Sequence, residues 1–185
     1  MANQLRSQTL IIIFIVSTIF AIAPSYCSRI RMVHPDDESL IETTCKQTPN
    51  YDLCVKSLKS DPESSDADVA GLGLIMVKLI TEKAKATESK IDNLLRGGGL
   101  NSKQRQALKS CRGMYEMVLD IDVPEAIEAL EKGNPKFAED GAKDMGNEAV
   151  YCEEEFDDEK SLLKQENEAI HELASIAVAI VRQLL

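Results

Sequence analysis

The 185-residue chain is poor in the residues on which most enzyme sites depend. It contains no tryptophan, and phenylalanine and tyrosine contribute four residues each. The two histidines, His34 and His171, lie far apart, and neither has a partner motif. No Gly-x-Ser-x-Gly motif is present, so a hydrolase with an activated serine is not indicated. We interpret His171 as a boundary histidine of a packed helix and predict that the protein is not an enzyme.

Basic residues are scarce relative to acidic ones. The chain has 21 lysines and arginines against 31 aspartates and glutamates, for a formal net charge of −10. This balance disfavours nucleic acid as a partner. The acidic run Glu153–Glu159 lacks the glycine and the ligand spacing of a calcium loop, and Gly97–Gly99 follows a helix rather than a strand. Both are interpreted as solvated turns, and no metal or cofactor is predicted.

The chain also lacks a hydrophobic run long enough to span a membrane. The apolar stretch Leu10–Ala23 has 14 residues, fewer than the roughly 20 that a spanning helix needs. Arg6 precedes it and small or turn-forming residues follow, which is typical of a secretory signal peptide over residues 1–27. An uncleaved anchor is the alternative. The exact cleavage site stays open, and removal of Arg6 changes the charge to 20 minus 31, or −11.

Cysteine is present in a number that fits this interpretation. Of Cys27, Cys45, Cys54, Cys111 and Cys152, cleavage after Cys27 leaves four, which predicts two disulfides in an oxidising compartment. Cys45 and Cys54 flank a proline-containing turn, and Cys111 and Cys152 are almost symmetric about a glycine turn. We therefore expect these two pairs. Other pairings are possible but fit the helices less well.

Hydrophobic residues from Asp36 onward recur at helical spacing, with no alternating pattern of the kind that strands show. The sequence predicts an all-α protein with one mature domain over residues 28–185. A helical hairpin is expected at 36–62, with helices at Asp36–Cys45 and Tyr51–Ser60. A four-helix bundle is expected at 66–185.

The bundle helices are bounded by clear start and stop signals. Pro124 is expected to kink the second helix, and Gly133-Asn134-Pro135 combines a C-terminal glycine, an N-cap asparagine and a first-turn proline. The short connections predict an up-down-up-down order. The first helix ends at Arg96, the second follows an N-cap at Asn101 or Ser102, the third begins at Pro135, and the fourth runs from about Ser161 to Leu185.

Several motifs of the chain together resemble a known family. They are Ile41-Glu42-Thr43-Thr44-Cys45, Cys54, Leu58-Lys59-Ser60-Asp61-Pro62, and Asp122–Leu130 followed by Gly133–Gly141. From Ile41 to Leu185 the sequence resembles the plant invertase and pectin methylesterase inhibitors. The Pro-Lys-Phe triplet at Pro135, Lys136 and Phe137 is typical of the invertase branch of that family.

The resemblance implies a fold and a function. The family fold is a four-helix bundle with an N-terminal hairpin, with the first cysteine bonded to the second and the third to the fourth. Such a protein binds an acid invertase, blocks its sucrose-binding cleft and needs no cofactor. We expect a monomer that binds one to one in the cell wall (apoplast) or the vacuole. The alternative within the family is a pectin methylesterase inhibitor.

The triplet is the candidate target-binding site. Invertases carry paired carboxylates in an acidic cleft, and Lys136 is the cation expected to complement them. Pro135 fixes the backbone, Asn134 caps the turn, and Phe137 serves as an apolar anchor. Alternatively, Asn134-Pro135 is a plain helix start, Lys136 is solvated and Phe137 is core. Because an acidic inhibitor meets an acidic cleft, and low pH protonates carboxylates, we expect affinity to fall toward neutral pH.

Overall fold

The computed structural model describes residues 39–157 and 160–185, and every regular element within them is helical. The predicted all-α class is therefore confirmed. The predicted signal peptide over residues 1–27 lies outside the described residues. In chain order the elements are α1 (Leu40–Cys45), α2 (Tyr51–Lys59), a 3-10 turn (Pro62–Ser65), α3 (Val69–Arg96), α4 (Ser102–Met117), a π-helical turn (Val118–Asp122), α5 (Val123–Glu131), α6 (Pro135–Glu154) and α7 (Lys164–Arg182).

The long helices form the predicted up-down-up-down bundle. The first is α3, the second is α4 continued through the π turn into α5, and α6 and α7 complete the four. Ion pairs join neighbours in an antiparallel sense. Asp92, late in α3, lies 3.1 Å from Arg112 in α4, and Lys90 lies 2.7 Å from Glu166 at the start of α7.

The hairpin of α1 and α2 packs onto this bundle. Cys45 and Cys54 form a disulfide with their Cα atoms 5.6 Å apart, and both side chains are fully buried. Just after α7, Gln183 Nε2 donates a hydrogen bond of 3.1 Å to the Thr44 carbonyl. The hairpin is therefore fixed to the end of α7.

A second disulfide joins two helices of the bundle. Cys111 in α4 is bonded to Cys152 in α6, with a Cα separation of 4.7 Å. Both expected cysteine pairs are thus present. Closing a loop of this length stabilises the folded state by about 4 kcal/mol in the chain-entropy picture.

The core lies between the four bundle helices and extends under the hairpin. It consists mostly of aliphatic side chains, as the hydrophobic periodicity of the sequence predicts. Small residues permit close approach of α6 and α7: a Cβ added at Gly146 would lie 3.0 Å from the Ala174 Cβ. The largest fully buried side chains are Tyr115, Leu58, Leu72, Met76, Ile80, Ile91, Leu108, Met145, Leu163, Ile170, Ile176 and Ile180.

Some helix ends differ from the prediction. The first helix begins at Leu40 behind an N-cap at Ser39, and the predicted start at Asp36 lies outside the described residues. The last helix begins at Lys164 rather than Ser161. The reason is local, because the Ser161 hydroxyl accepts a hydrogen bond of 3.2 Å from the Leu163 N–H and so stabilises a turn before the helix.

The interruption expected at Pro124 takes the form of the π-helical turn that directly precedes it. The Val123 N–H donates to the Val118 carbonyl, five residues back. Proline has no N–H to donate, and its ring conflicts with the carbonyl four residues earlier. A wider turn at this point relieves that conflict while the chain continues in the same direction.

This turn also buries an acidic side chain. Asp122 is 6% exposed, and its Oδ2 has no hydrogen-bond partner within the part of the chain that the structure describes. Burial first, and then the nearby carboxyls of Asp144, Glu148 and Glu125, raise the pKa of Asp122 to about 7. The side chain is therefore largely protonated in acidic surroundings.

The titration of Asp122 predicts that stability falls as pH rises. Its pKa in the folded state is above the ordinary value of 3.8, so between about pH 4 and 7 the folded protein binds more protons than the unfolded chain. Between pH 4.5 and 7.5 the unfolding free energy of the unsubstituted protein should decrease. In Asp122→Asn this decrease should be smaller by on the order of 1–3 kcal/mol. Urea unfolding at both pH values measures this. Asp120→Asn, exposed in the same turn, is the control, and an unchanged pH slope in Asp122→Asn would contradict the prediction.

Candidate functional site

The predicted target-binding triplet follows a tight turn between α5 and α6. Gly133 has a φ of +69°, a left-handed conformation that suits glycine. Its N–H donates to the Leu130 carbonyl at 3.2 Å, and the Asn134 N–H donates to the Ala129 carbonyl at 2.8 Å. These two bonds form a Schellman motif, which fixes the direction in which the chain enters Pro135.

The start of α6 differs from the prediction in one respect. Pro135 is the first helical residue, as expected, but the Asn134 side chain makes no capping hydrogen bond. With φ −109° and ψ 70°, Asn134 lacks the extended backbone that directs a capping side chain toward the helix. Its carbonyl instead accepts from the N–H groups of Phe137 at 3.1 Å and Ala138 at 3.2 Å. The expected side-chain cap is therefore wrong, although the helix start is right.

Lys136 and Phe137 of the triplet both face solvent. Phe137 is 60% exposed and the Lys136 side chain is 61% exposed. Phe137 borders a shallow groove of about 250 Å³ with Glu125, Glu128 and Lys132 on α5 and the adjoining turn. The alternative in which Phe137 belongs to the core is thus wrong, and the aromatic ring is available to a partner.

Lys136 is neither isolated nor simply solvated. Its Nζ lies 3.1 Å from the Glu139 Oε2, and the Glu139 side chain is 5% exposed. The same carboxylate accepts from Lys143 at 2.7 Å and from Arg182 Nε at 2.8 Å. Hydrogen bonds from Lys143 first, then Arg182 and Lys136, lower the pKa of Glu139 to about 2. Glu139 is therefore charged throughout the physiological range.

A second carboxylate completes the group. Lys136 Nζ lies 3.1 Å from Asp140 Oδ1, and Lys143 Nζ lies 3.7 Å from the same oxygen. Hydrogen bonds to Glu139 and then to Asp140 raise the pKa of Lys136. We call Lys136, Glu139, Asp140, Lys143 and Arg182 the Glu139 cluster. Its three cations and two carboxylates give it a surplus positive charge in a protein whose formal charge is −10.

Part of this cluster could have been found in the sequence. Lys136, Glu139, Asp140 and Lys143 follow the three- and four-residue spacing that places side chains on one face of a helix. Arg182 is 43 residues from Glu139 and carries no such signal. This contact depends on the antiparallel packing of α6 against α7, which places the last turn of α7 beside the start of α6.

A larger groove adjoins the cluster between α6, α7 and the hairpin. It has a volume of about 480 Å³, and Lys143 and Arg182 lie at its wall together with Gln47, Asn147 and His171. His171 thus lies on the exposed face of α7. It borders this groove, to which Pro135, Lys136 and Phe137 do not contribute. Within residues 39–157 and 160–185, no group of three or more His, Cys, Asp or Glu side chains is arranged to hold a metal ion.

The geometry is that of a binding surface. The four cysteines in the described ranges are joined in disulfides, so they offer no free thiol nucleophile. No helix in the described part of the chain is long and apolar enough to cross a membrane. The surface presents an exposed aromatic ring and an exposed ammonium group on consecutive residues in the first turn of a packed helix.

Comparisons with known proteins agree with this picture. A family described as plant invertase/pectin methylesterase inhibitor matches residues 39–180. The chain is 46% identical over 115 residues to cell wall / vacuolar inhibitor of fructosidase 1 from Arabidopsis thaliana, covering 62% of this chain and 55% of the relative. It is 37% identical over 82 residues to cell wall / vacuolar inhibitor of fructosidase 2 from the same organism, covering 44% of this chain and 46% of the relative. The chain thus spans about half the length of these two relatives, which are named as inhibitors.

A solved structure is similar in fold. The crystal structure of a mutant form of a pectin methylesterase inhibitor from Arabidopsis matches with a TM-score of 0.69 and 22% identity, covering 80% of this chain and 99% of that one. At this level of identity the likeness concerns the helical architecture.

The position of the triplet depends on close packing of α6 against the preceding segment, which predicts opposite effects at two glycines. A Cβ at Gly141 would lie 3.1 Å from the Asp122 carbonyl oxygen and 3.2 Å from the Ala126 Cβ, whereas one at Gly113 would meet nothing within 4 Å. We expect Gly141→Ala to lower the unfolding free energy by about 1–3 kcal/mol. Gly113→Ala, the matched control in α4, should raise it by about 0.5–1 kcal/mol. Urea unfolding tests both, and shifts of the same sign would contradict the packing argument.

Proposed function

The chain belongs to the plant invertase/pectin methylesterase inhibitor family, and from this premise we propose that it is a proteinaceous inhibitor of a plant acid invertase, a β-fructofuranosidase. It binds the enzyme one to one as a monomer and blocks the sucrose-binding cleft. The similarity to two proteins named as inhibitors of fructosidase supports this choice of target.

The observation that carries the proposal is the exposure of Lys136 and Phe137 on the first turn of α6. Glycoside hydrolases bind their substrate between two carboxyl groups. A cation presented on a fixed helix start complements those carboxylates, and an adjacent aromatic ring excludes water from the contact. Pro135 and the Schellman turn hold both side chains at one position on the surface.

Charge distribution supports the same contact. The chain is acidic as a whole, and an acidic enzyme would repel most of its surface. The Glu139 cluster, with its surplus cation, is a face that an acidic cleft attracts. We therefore assign target binding to Pro135, Lys136 and Phe137, with the rest of the cluster behind them.

The proposed site of action is outside the cytosol. Residues 1–27 serve as a signal peptide and residues 28–185 as the mature inhibitor, delivered to the cell wall (apoplast) or the vacuole. Two disulfides within the mature part are typical of proteins from oxidising compartments. The two similar proteins from Arabidopsis thaliana are each named for both locations.

Inhibition of pectin methylesterase is the second candidate. The description of the matching family covers both kinds of inhibitor, which favours it. The two candidates differ in the use of the triplet, because the invertase function assigns the contact to Lys136 and Phe137.

Lys136→Ala tests the proposed function directly. We expect the refolded mature chain to inhibit a purified acid invertase at pH 5, and the substitution to weaken this inhibition about 30-fold or more, as the loss of a central charged contact does. Lys164→Ala is the control, because Lys164 is similarly exposed and is paired with Glu168. It lies at the start of α7, whereas Arg182 of the Glu139 cluster lies at the end of that helix. Inhibition of pectin methylesterase alone would favour the second candidate, and equal inhibition by Lys136→Ala would refute the assigned site.

We expect the affinity for invertase to fall between pH 4.5 and pH 7. Carboxylates outside the contact ionise over this range on both proteins, so repulsion between the two acidic molecules increases. Inhibition constants measured at the two pH values at constant ionic strength test this. Added salt should reduce the difference. Equal constants at both pH values would contradict the prediction.

A further inference from the structure

Contacts within its own chain compete with a partner for the ammonium group of Lys136. Its ammonium group lies 3.1 Å from Glu139 and 3.1 Å from Asp140. Glu139 is almost completely buried, and a buried carboxylate that loses a cation is destabilised. An inhibitor that turns Lys136 toward an enzyme therefore needs another cation to hold these two carboxylates.

Lys143 is placed to do this. It lies about two turns beyond Lys136 on α6 and is already 2.7 Å from Glu139 and 3.7 Å from Asp140. Its side chain is 38% exposed, against 61% for Lys136, so it is the more deeply seated of the two lysines. Arg182 contacts Glu139 from α7, and no contact joins Arg182 to Asp140 among the ion pairs of the described residues. Lys143 is thus the cation that reaches both carboxylates together with Lys136.

We propose that Lys143 is a positioning residue that determines affinity: it holds Glu139 and Asp140 when Lys136 turns to a carboxylate of the target. This inference rests on the proposed function. The free protein shares two carboxylates among three cations. In the complex Lys143 and Arg182 remain on these carboxylates, so the four groups left behind carry no net charge once Lys136 pairs with the partner.

The sign of each substitution follows from the charge count. Without Lys143, two cations face two carboxylates, and transfer of Lys136 leaves the cluster with net negative charge beside an acidic enzyme. Without the charge of Asp140, Lys136 loses one of its two internal partners and the cluster becomes more positive. The first change disfavours binding and the second favours it.

The experiment measures inhibition of purified acid invertase by the mature chain at pH 5. Lys143→Met should weaken inhibition roughly tenfold, a coupling typical of groups in one ion-pair network. Lys143→Arg, which keeps the charge, should stay within about twofold of the unsubstituted protein, and Asp140→Asn should strengthen inhibition by about two- to fivefold. Lys164→Met is the matched control and should leave inhibition unchanged. Thermal unfolding confirms that each variant is folded.

A double-mutant comparison separates a positioning role from a direct contact. In the Lys136→Ala background, Lys143→Met should change the inhibition constant less than about twofold, because there is no lysine left to release. A tenfold effect in that background would show that Lys143 itself contacts the enzyme, and would overturn the proposal. Failure of Lys143→Arg to restore inhibition would also overturn it.

The free protein supplies a readout that does not involve the enzyme. NMR titration of the Lys136 side chain should show its pKa rise in Lys143→Met and fall in Asp140→Asn, because the two lysines compete for the same carboxylates. No change in Lys143→Met would refute this competition. If Lys136→Ala weakens inhibition and Lys143→Met does not, this inference alone fails. If Lys136→Ala has no effect, the proposed site fails and this inference falls with it.

Discussion

A buried carboxylate must be paired with cations or hydrogen-bond donors that replace the water it has lost. At Glu139 this requirement brings together the start of α6 and the end of α7. Its side chain is 5% exposed and is reached by three cations, two from α6 and one from α7. The two lysines hold the first turns of α6, and Arg182 joins them to the last turn of α7. The helix start that carries Lys136 and Phe137 is thereby fixed to the bundle by charge, and the Schellman turn at Gly133 fixes it to α5.

The other end of the bundle is held by different means. Tyr115 donates a hydrogen bond of 2.7 Å to Asn167, and Asn167 in turn donates one of 2.8 Å to Glu153. This chain links α4, α7 and α6 near the Cys111–Cys152 disulfide. A buried hydrogen-bonded network of this kind favours one packing arrangement, because every alternative leaves a polar atom without a partner. The bundle is thus constrained at both ends, with aliphatic packing between.

Local signals accounted for most of the fold. Glycine and proline at Gly97–Gly99 and Gly133–Pro135 mark breaks that depend on backbone conformation alone, and the cysteine spacing predicted both disulfides. The missed features depend on the tertiary structure. The π turn arises where Pro124 must continue a packed helix, and the contact of Arg182 with Glu139 requires two helices to be in register. The sequence likewise offered Phe137 as either core or surface, since helical periodicity does not reveal which face a neighbouring helix covers.

The turn from Gly133 to Phe137 is set by backbone hydrogen bonds and a proline before any partner arrives. A segment that is ordered in advance loses little conformational entropy on association, so the energetic cost of forming a complex is small at this point. Encounter then requires orientation rather than refolding, and among related interfaces association rates vary less than affinities do. For the proposed contact through Lys136 and Phe137, we therefore expect variants to differ mainly in the lifetime of the complex.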